Sequence, residues 1–134
     1  MALPHALPEK ARDWLDQPYF VTLATINRDG SPHAAIHWVA RDGDDILLSS
    51  VRGRKHSDNV ERDSRVSVLL MPPDNPYAYL EVRGRATVTT EGGRELIDAL
   101  CEKYRGITPY PWDRPDAVRV VIRVPPDHVV LHGR

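Results

Sequence analysis

The sequence predicts a mainly β fold, a small antiparallel barrel of six strands carrying short helices, and three observations predict it. Strand-length segments alternate polar and apolar residues with a period of two. Turn chemistry of the hairpin type separates several of them. Twelve prolines fall mostly at element ends and in loops, which fits many short elements better than long helices. Closing such strands into a barrel removes the exposed edges that would otherwise pair with other chains.

The elements follow in order. Leu7, Ala11, Trp14 and Leu15 share one helical face, and Pro8 sits near the first turn, where its missing N–H costs nothing. This short helix ends before Gln17-Pro18. Tyr19 to Asn27 is rich in β-branched and aromatic residues and reads as a strand. Arg28-Asp29-Gly30 then supplies a turn. A second strand runs from Pro32 to about Arg41, with Ala34, Ile36, Trp38 and Ala40 on one face and His33, Ala35, His37 and Val39 on the other. Asp42-Gly43-Asp44 turns the chain into a third strand, Asp45 to Ser50. Val51 to Ser64 is polar throughout and reads as a glycine turn and a short helix with only Val60 to bury.

Arg65 to Met71 is the fourth strand, and Pro72-Pro73-Asp74-Asn75-Pro76 a rigid loop. The clearest strand is Tyr77 to Thr90, where Ala78, Leu80, Val82, Gly84, Ala86 and Val88 oppose Tyr79, Glu81, Arg83, Arg85 and Thr87. Leu96, Ile97, Leu100 and Tyr104 recur at helical spacing, so Gly93 to Arg105 is an amphipathic helix. A loop rich in proline and aromatics, Ile107 to Asp116, leads to a last strand, Ala117 to Val124, with Val129 to Leu131 as a short pairing segment.

Composition narrows the function. The length of 134 residues suits one domain over residues 1–134. A net charge of −1 argues against a nucleic-acid partner, which calls for a broad cationic excess. No stretch approaches the roughly 20 apolar residues that cross a bilayer, so no membrane partner is expected. Met1 to Lys10 lacks the apolar core of a signal peptide, and the single cysteine, Cys101, excludes an internal disulfide framework. A reduced, cytoplasmic setting is the expectation. Cys101 itself reads as a small buried residue on the second amphipathic helix.

Familiar catalytic signatures are missing: there is no Gly-x-Ser-x-Gly elbow, no phosphate-binding loop of the Walker type and no Gly-x-Gly-x-x-Gly fingerprint. No metal site is expected either. His33 and His37 share a strand face, but four residues of strand separate them by about 13 Å, too far for one ion held at about 2 Å by each ligand.

One polar concentration has an evident physical purpose. Ser49-Ser50-Val51-Arg52-Gly53-Arg54-Lys55-His56 places two hydroxyls at a strand end, a glycine in a turn, and three cations and a histidine at a helix start. Helix N-termini favour acids, because the helix dipole repels cations there. Cations gathered at that position suit a phosphate group. A solvated basic turn paired with Asp58, Glu61 and Asp63 is the competing reading. Trp38, with His33 and His37 beside it, is either a pocket wall for a flat ring or core packing; Tyr77 and Tyr79 carry the same two readings. The loop Ile107 to Asp116, with Tyr110, Pro111 and Trp112, either covers that pocket or packs.

Four segments in register resemble a known family. Ala24 to His33 (Ala-Thr-Ile-Asn-Arg-Asp-Gly-Ser-Pro-His) is similar to the first hairpin of the pyridoxamine 5'-phosphate oxidase-like flavin and deazaflavin split-barrel proteins. Gly53-Arg54-Lys55-His56 through Asn59, Arg62 to Val66, and Glu81 to Ala86 agree with it in order and spacing. The closing Val120 to Pro125 is also similar. The short length and Tyr104-Arg105-Gly106 look most like the coenzyme F420-dependent branch.

The resemblance implies a six-stranded antiparallel split barrel of the FMN-binding type, and a homodimer with two cofactor sites shared at its interface. The cofactor is coenzyme F420, with FMN as the alternative. Phosphate contacts would fall on Ser50, Arg54 and Lys55, with Ser49, His56 and Asn59 beside them. Pro32 to Trp38, His33 included, would line the ring, and Tyr77 or Tyr79 would approach from the partner subunit. One position departs from the family pattern: its usual lysine, three before Asn59, is His56 here. The implied activity is hydride transfer from the reduced deazaflavin to a small unsaturated acceptor, with His33 or His37 as proton donor. An FMN-dependent oxidase or flavin reductase of the same fold is the nearest rival, and a non-catalytic cofactor or tetrapyrrole carrier is the rival of another class.

Overall fold

Hairpin chemistry sets the first ladder. In the computed structural model, which describes residues 6–133, strand β1 (Val21–Ile26) runs antiparallel to β2 (Pro32–His37), with Val21 opposite His37 and Ile26 opposite Pro32. The turn between them is closed by Gly30 at φ 88° and by Asp29 Oδ1, which accepts the Ser31 N–H at 3.0 Å. The positive φ is open to glycine without steric cost. Short helix α1 (Glu9–Asp16) precedes this hairpin and buries Ala11 and Leu15, as its sequence pattern requires.

The expected strand Pro32 to Arg41 is two elements. β2 stops at His37, and β3 (Ala40–Asp42) belongs to another sheet. Trp38 and Val39 form the corner between them. Leaving a ladder strands backbone polar groups, which need new partners when buried. Here the third helix supplies them: the Val39 N–H donates to Tyr104 Oη at 3.0 Å, and Lys103 Nζ donates to the Val39 and Leu15 carbonyls, each at 2.7 Å. The alternation expected for Trp38 and Val39 therefore breaks, and Val39 is fully buried in the main core.

The remaining elements are β4 (Asp45–Val51), α2 (Lys55–Arg62), β5 (Arg65–Leu70), β6 (Tyr79–Arg85), β7 (Thr87–Thr89), α3 (Gly93–Arg105), β8 (Arg119–Val124) and β9 (His128–His132). The long strand Tyr77 to Thr90 also divides, at Ala86, into β6 and β7. Two of the six expected strands thus change sheets and divide, and with the short pairing segment as β9 the described residues hold nine strand segments. One sheet runs β2-β1-β5-β6-β9 and the other β3-β4-β8-β7. Together they form a split barrel rather than one continuous ring. Among the described residues, no helix is long and apolar enough to cross a membrane.

The inner faces of the two sheets meet in a core of Leu23, Ile46, Leu48, Val68, Leu80, Val82, Ile122 and Val124, all nearly inaccessible. The second sheet is covered on its other face by α3, where Leu96, Leu100 and Val121 pack against Trp38, Leu47 and Tyr104. Helix α2 packs against β1, β4 and β7, and it departs from expectation. Besides Val60 it buries His56, Ser57 and Asn59. Asn59 is buried because its amide N–H groups donate to Thr25 Oγ1 (3.1 Å) and Asn27 Oδ1 (3.0 Å), tying the helix to β1.

The start of α3 presses directly on β8. A β-carbon at Gly93 would run into the Arg119 carbonyl oxygen, which is backbone and has nowhere to go. Gly93→Ala is therefore expected to destabilise the fold by about 2 kcal/mol, the usual scale of overpacking, read as a lower urea midpoint at unchanged m-value. An unaltered midpoint would show that α3 shifts freely on the sheet.

Candidate functional site

A cavity of about 300 Å³ opens where the end of β2, the turn before α2, β4, β8 and α3 meet. Its walls divide by chemistry. Phe20, Trp38 and Tyr110 supply aromatic surface, and Ile97 and Leu100 supply the apolar side of α3. The opposite pole is His37, Ser49, Arg54, His56 and Arg119.

The aromatic wall is held by stacking. Trp38 lies nearly parallel to Tyr104, with centroids 5.2 Å and planes 11° apart, and meets Tyr110 edge-on at 6.3 Å. Tyr104 is fixed in turn by donating its hydroxyl proton to the Tyr19 carbonyl at 2.5 Å. The corner that broke the predicted strand is thus what turns Trp38 toward the cavity. Trp38 both packs on Tyr104 of α3 and lines the cavity.

The polar pole rests on one buried ion pair. Strand register places Val51 opposite Arg119 and Ser49 opposite Val121, so Ser49 and Arg119 lie diagonally on the same face of the sheet. Arg119 is only 8% exposed. It donates to both carboxylate oxygens of Asp113 at 2.8 and 2.7 Å and to Ser49 Oγ at 3.2 Å, with its guanidinium over the Tyr110 ring. These hydrogen bonds hold the Asp113 carboxyl below the usual carboxylate range. Arg94 adds a second cation to Asp113 at 3.0 Å and also donates to the Tyr110 carbonyl. The 107–116 loop is pinned by these contacts, and its Tyr110 faces the cavity.

Sequence reasoning did not single out Arg119. Its signal was a cation inside the apolar run Ala117 to Val124, with an acid six residues upstream. In a strand with one buried face, such an arginine needs a partner.

The basic turn before α2 has one weak electrostatic partner, Asp29 near Lys55. Arg52, Arg54 and Lys55 make no ion pair among the described residues, while Asp63 pairs instead with Arg65 at 2.7 Å. Among the described residues no side chain caps the α2 N-terminus. The turn also separates two openings. Arg54 and His56 face the aromatic cavity, whereas Lys55 and Asn59 line a second one of about 370 Å³ with Arg28, Gly53, Asp58 and Arg62.

Three histidines converge behind Arg54. His56 Nε2 is 2.7 Å from Ser50 Oγ, so the fully buried Ser50 bears on His56 rather than on open space. His37 meets His56 edge-on, and His33 stacks on it from the other side. The separation expected of His33 and His37 along the strand is thus spanned by a residue from another element. Among the described residues no cluster of metal-binding side chains has the geometry to hold an ion.

Among the described residues His37 Nε2 is buried without a hydrogen-bond partner, while the ring engages the Ser49 backbone. Burial first, then His56 and Arg54, push its pKa down to about 4. Burial, then Arg54 and His33, lower His56 as well. The sign for stability follows. His37 binds its proton more readily in the unfolded chain, so its contribution is lost as pH falls from about 6.5 to about 4. His37→Asn is expected to flatten the acid side of the stability curve by on the order of 2 kcal/mol, measured by urea unfolding at pH 7 and pH 4.5. Equal acid losses in both proteins would refute this.

Pro32, His33, Tyr77 and Tyr79 border neither cavity. Pro32 is exposed at the start of β2. Tyr77 is 83% exposed, and Tyr79 stacks on His132 on the outer face of the five-stranded sheet. That face also presents Ile36 and Leu69, which sit opposite Thr22 on either side of β1, and Met71 is exposed beyond β5.

The fold and this site define a class: flavin- and deazaflavin-linked split-barrel proteins. Residues 7–133 match the pyridoxamine 5'-phosphate oxidase family, and the chain belongs to it. Among solved structures, an F420 reductase is 30% identical with a TM-score of 0.82, over 92% of this chain and 98% of that one. A conserved hypothetical protein from Mycobacterium tuberculosis is 25% identical with a TM-score of 0.77, over 98% of this chain and 88% of the other. The general stress protein 26 of Bacillus anthracis shares the fold at 20% identity and a TM-score of 0.71, with 92% of each chain covered. Nothing among curated protein sequences matches.

Proposed function

We propose that this protein is a homodimeric, cytoplasmic oxidoreductase that holds coenzyme F420 by its phosphate and reduces a small unsaturated acceptor. The observation that carries the reading is the unpaired basic turn of Arg52, Arg54 and Lys55 at the rim of an aromatic-walled cavity. Cations that form no ion pair among the described residues, beside an uncapped helix start, suit a phosphate. The unfilled acceptor on His37 Nε2 also fits a site shaped for a polar ligand.

Each residue has a separate task. Arg54 and His56 take the negative group on the cavity side, with Ser49 and Arg119 beside them and Ser50 orienting His56. Lys55 and Asn59 lie on the other side of the turn, where Lys55 extends the positive field. Trp38 and Tyr110 present flat surfaces to a ring. When bound, the reduced deazaflavin supplies the hydride. The aromatic walls and the pinned 107–116 loop exclude water from that transfer.

Two features support the dimer. A cavity of about 300 Å³ is at the small end of ligand pockets, so one subunit supplies only part of the enclosure. The exposed Ile36, Leu69, Met71, Tyr77 and Tyr79 form an apolar face that suits a second copy. In the dimer, Tyr77 or Tyr79 of one protomer closes the cavity of its partner.

Titration with coenzyme F420, followed by cofactor absorbance and fluorescence, tests binding. Saturation at one cofactor per chain, with turnover of quinone or enone acceptors, is the expected result. Saturation by FMN alone, in a protein that purifies yellow, would assign the same site to a flavin enzyme. Binding without turnover would make it a carrier.

A further inference from the structure

Where His37 and His56 line the cavity, three imidazoles from two distant elements come together, with His33 beside His56 and outside the lining. His33 and His56 stack with centroids 6.5 Å and planes 14° apart, and His37 meets His56 edge-on at 4.6 Å. His56 is hydrogen-bonded to Ser50, and His37 keeps one buried nitrogen unpartnered. The charged groups around the stack are nearly all of one sign. From the turn before α2 comes Arg54, with Lys55 directed to the neighbouring opening. From β8 comes Arg119, already shared with Asp113 of the loop. At this cavity β4 brings Ser49, and α3 brings only Ile97 and Leu100.

Such surroundings favour uncharged His37 and His56 rings: burial and Arg54 both act against a proton on His56. An anion seated among Arg54, Arg119 and His56 reverses that field. A lysine at position 56 would carry its charge at all times, whereas a histidine carries it on condition.

We propose that His56 is a proton-coupled anion receptor: a proton enters the His33–His56–His37 stack as the ligand's negative group enters the cavity, so affinity for the anion climbs on acidification. This rests on the phosphate-docking reading above and supplies its regulation. The stack then couples cofactor retention to local pH.

Calorimetric titration of the full chain with sulfate, whose charge is constant across the range, and with coenzyme F420 at pH 5.5, 6.5 and 7.5 tests it at matched ionic strength. The expected result is an affinity that rises toward, and not beyond, about tenfold per pH unit of acidification, with uptake of up to about one proton per site. Proton uptake is read from the heats in buffers of different ionisation enthalpy. His56→Lys is expected to bind with almost no pH dependence, and His37→Asn to keep the slope. As a readout independent of any variant, the His56 ring-nitrogen NMR titration of the wild type should move upward by about half a unit or more when sulfate is added.

Saturable F420 binding that is flat with pH, or a slope that survives His56→Lys, overturns the proton coupling and leaves the cofactor reading standing. Saturation by neither probe at any pH overturns both.

Discussion

Arg119→Ala is expected to cost about 3 kcal/mol of folding stability, the scale measured when one partner of a buried pair is removed. Three contacts disappear together: the two hydrogen bonds to Asp113 and the one to Ser49. Asp113, almost as buried as Arg119, keeps only Arg94. Tyr110 loses the guanidinium beneath its ring, so the 107–116 loop loosens and the cavity opens to water. Arg119→Lys is expected to recover little, because an ammonium group cannot reproduce the two-pronged bond to Asp113. Urea unfolding gives the stability change, and limited proteolysis reads the loop. A variant as stable as the wild type, with a loop equally resistant to cleavage, would contradict this account of the polar pole.

The second large effect is on binding. Arg54 makes no ion pair among the described residues, so truncating it leaves no buried charge unmatched within the protein. Arg54→Ala is therefore expected to alter stability by less than about 0.5 kcal/mol. A charge-assisted bond to phosphate contributes about 2 to 3 kcal/mol, so affinity for coenzyme F420 should fall about thirty- to a hundredfold. The salt dependence of binding should weaken with it, because an ionic contact has gone. Loss of stability without loss of affinity would place Arg54 in the scaffold instead.

How much of this was legible in the sequence differs by element. The first hairpin was, because Arg28-Asp29-Gly30 and the alternation on either side are local signals. Helix α3 was equally plain from the spacing of Leu96, Ile97 and Leu100. The break at Trp38–Val39 was not. Both residues favour strands, and nothing local says that Lys103 and Tyr104, more than sixty residues on, will take up the Val39 backbone groups. The split of the long strand at Ala86 escaped for a similar reason, since β7 is defined by pairing with β8 rather than by its own pattern.

The site divides the same way. The basic turn was readable because charge at a helix start is a local anomaly. What the sequence left open was whether Asp58, Glu61 or Asp63 would neutralise it, and in the structure none of them does so for Arg52, Arg54 or Lys55. The spacing of His33 and His37 along β2 was readable from strand geometry alone. That His56 would slot between them required the packing of α2 against the barrel. Arg119 stayed hidden because a cation in a strand usually points to solvent, and only the covering loop shows that this one does not.

The central claim is that an anionic flavin-type cofactor docks at the Arg54 turn within a twofold assembly. Native mass spectrometry of the protein incubated with coenzyme F420 and FMN together addresses it most directly, since one spectrum reports subunit number and ligand mass. The account predicts a dimer carrying two molecules of F420, with FMN displaced. A monomer that carries neither would contradict it.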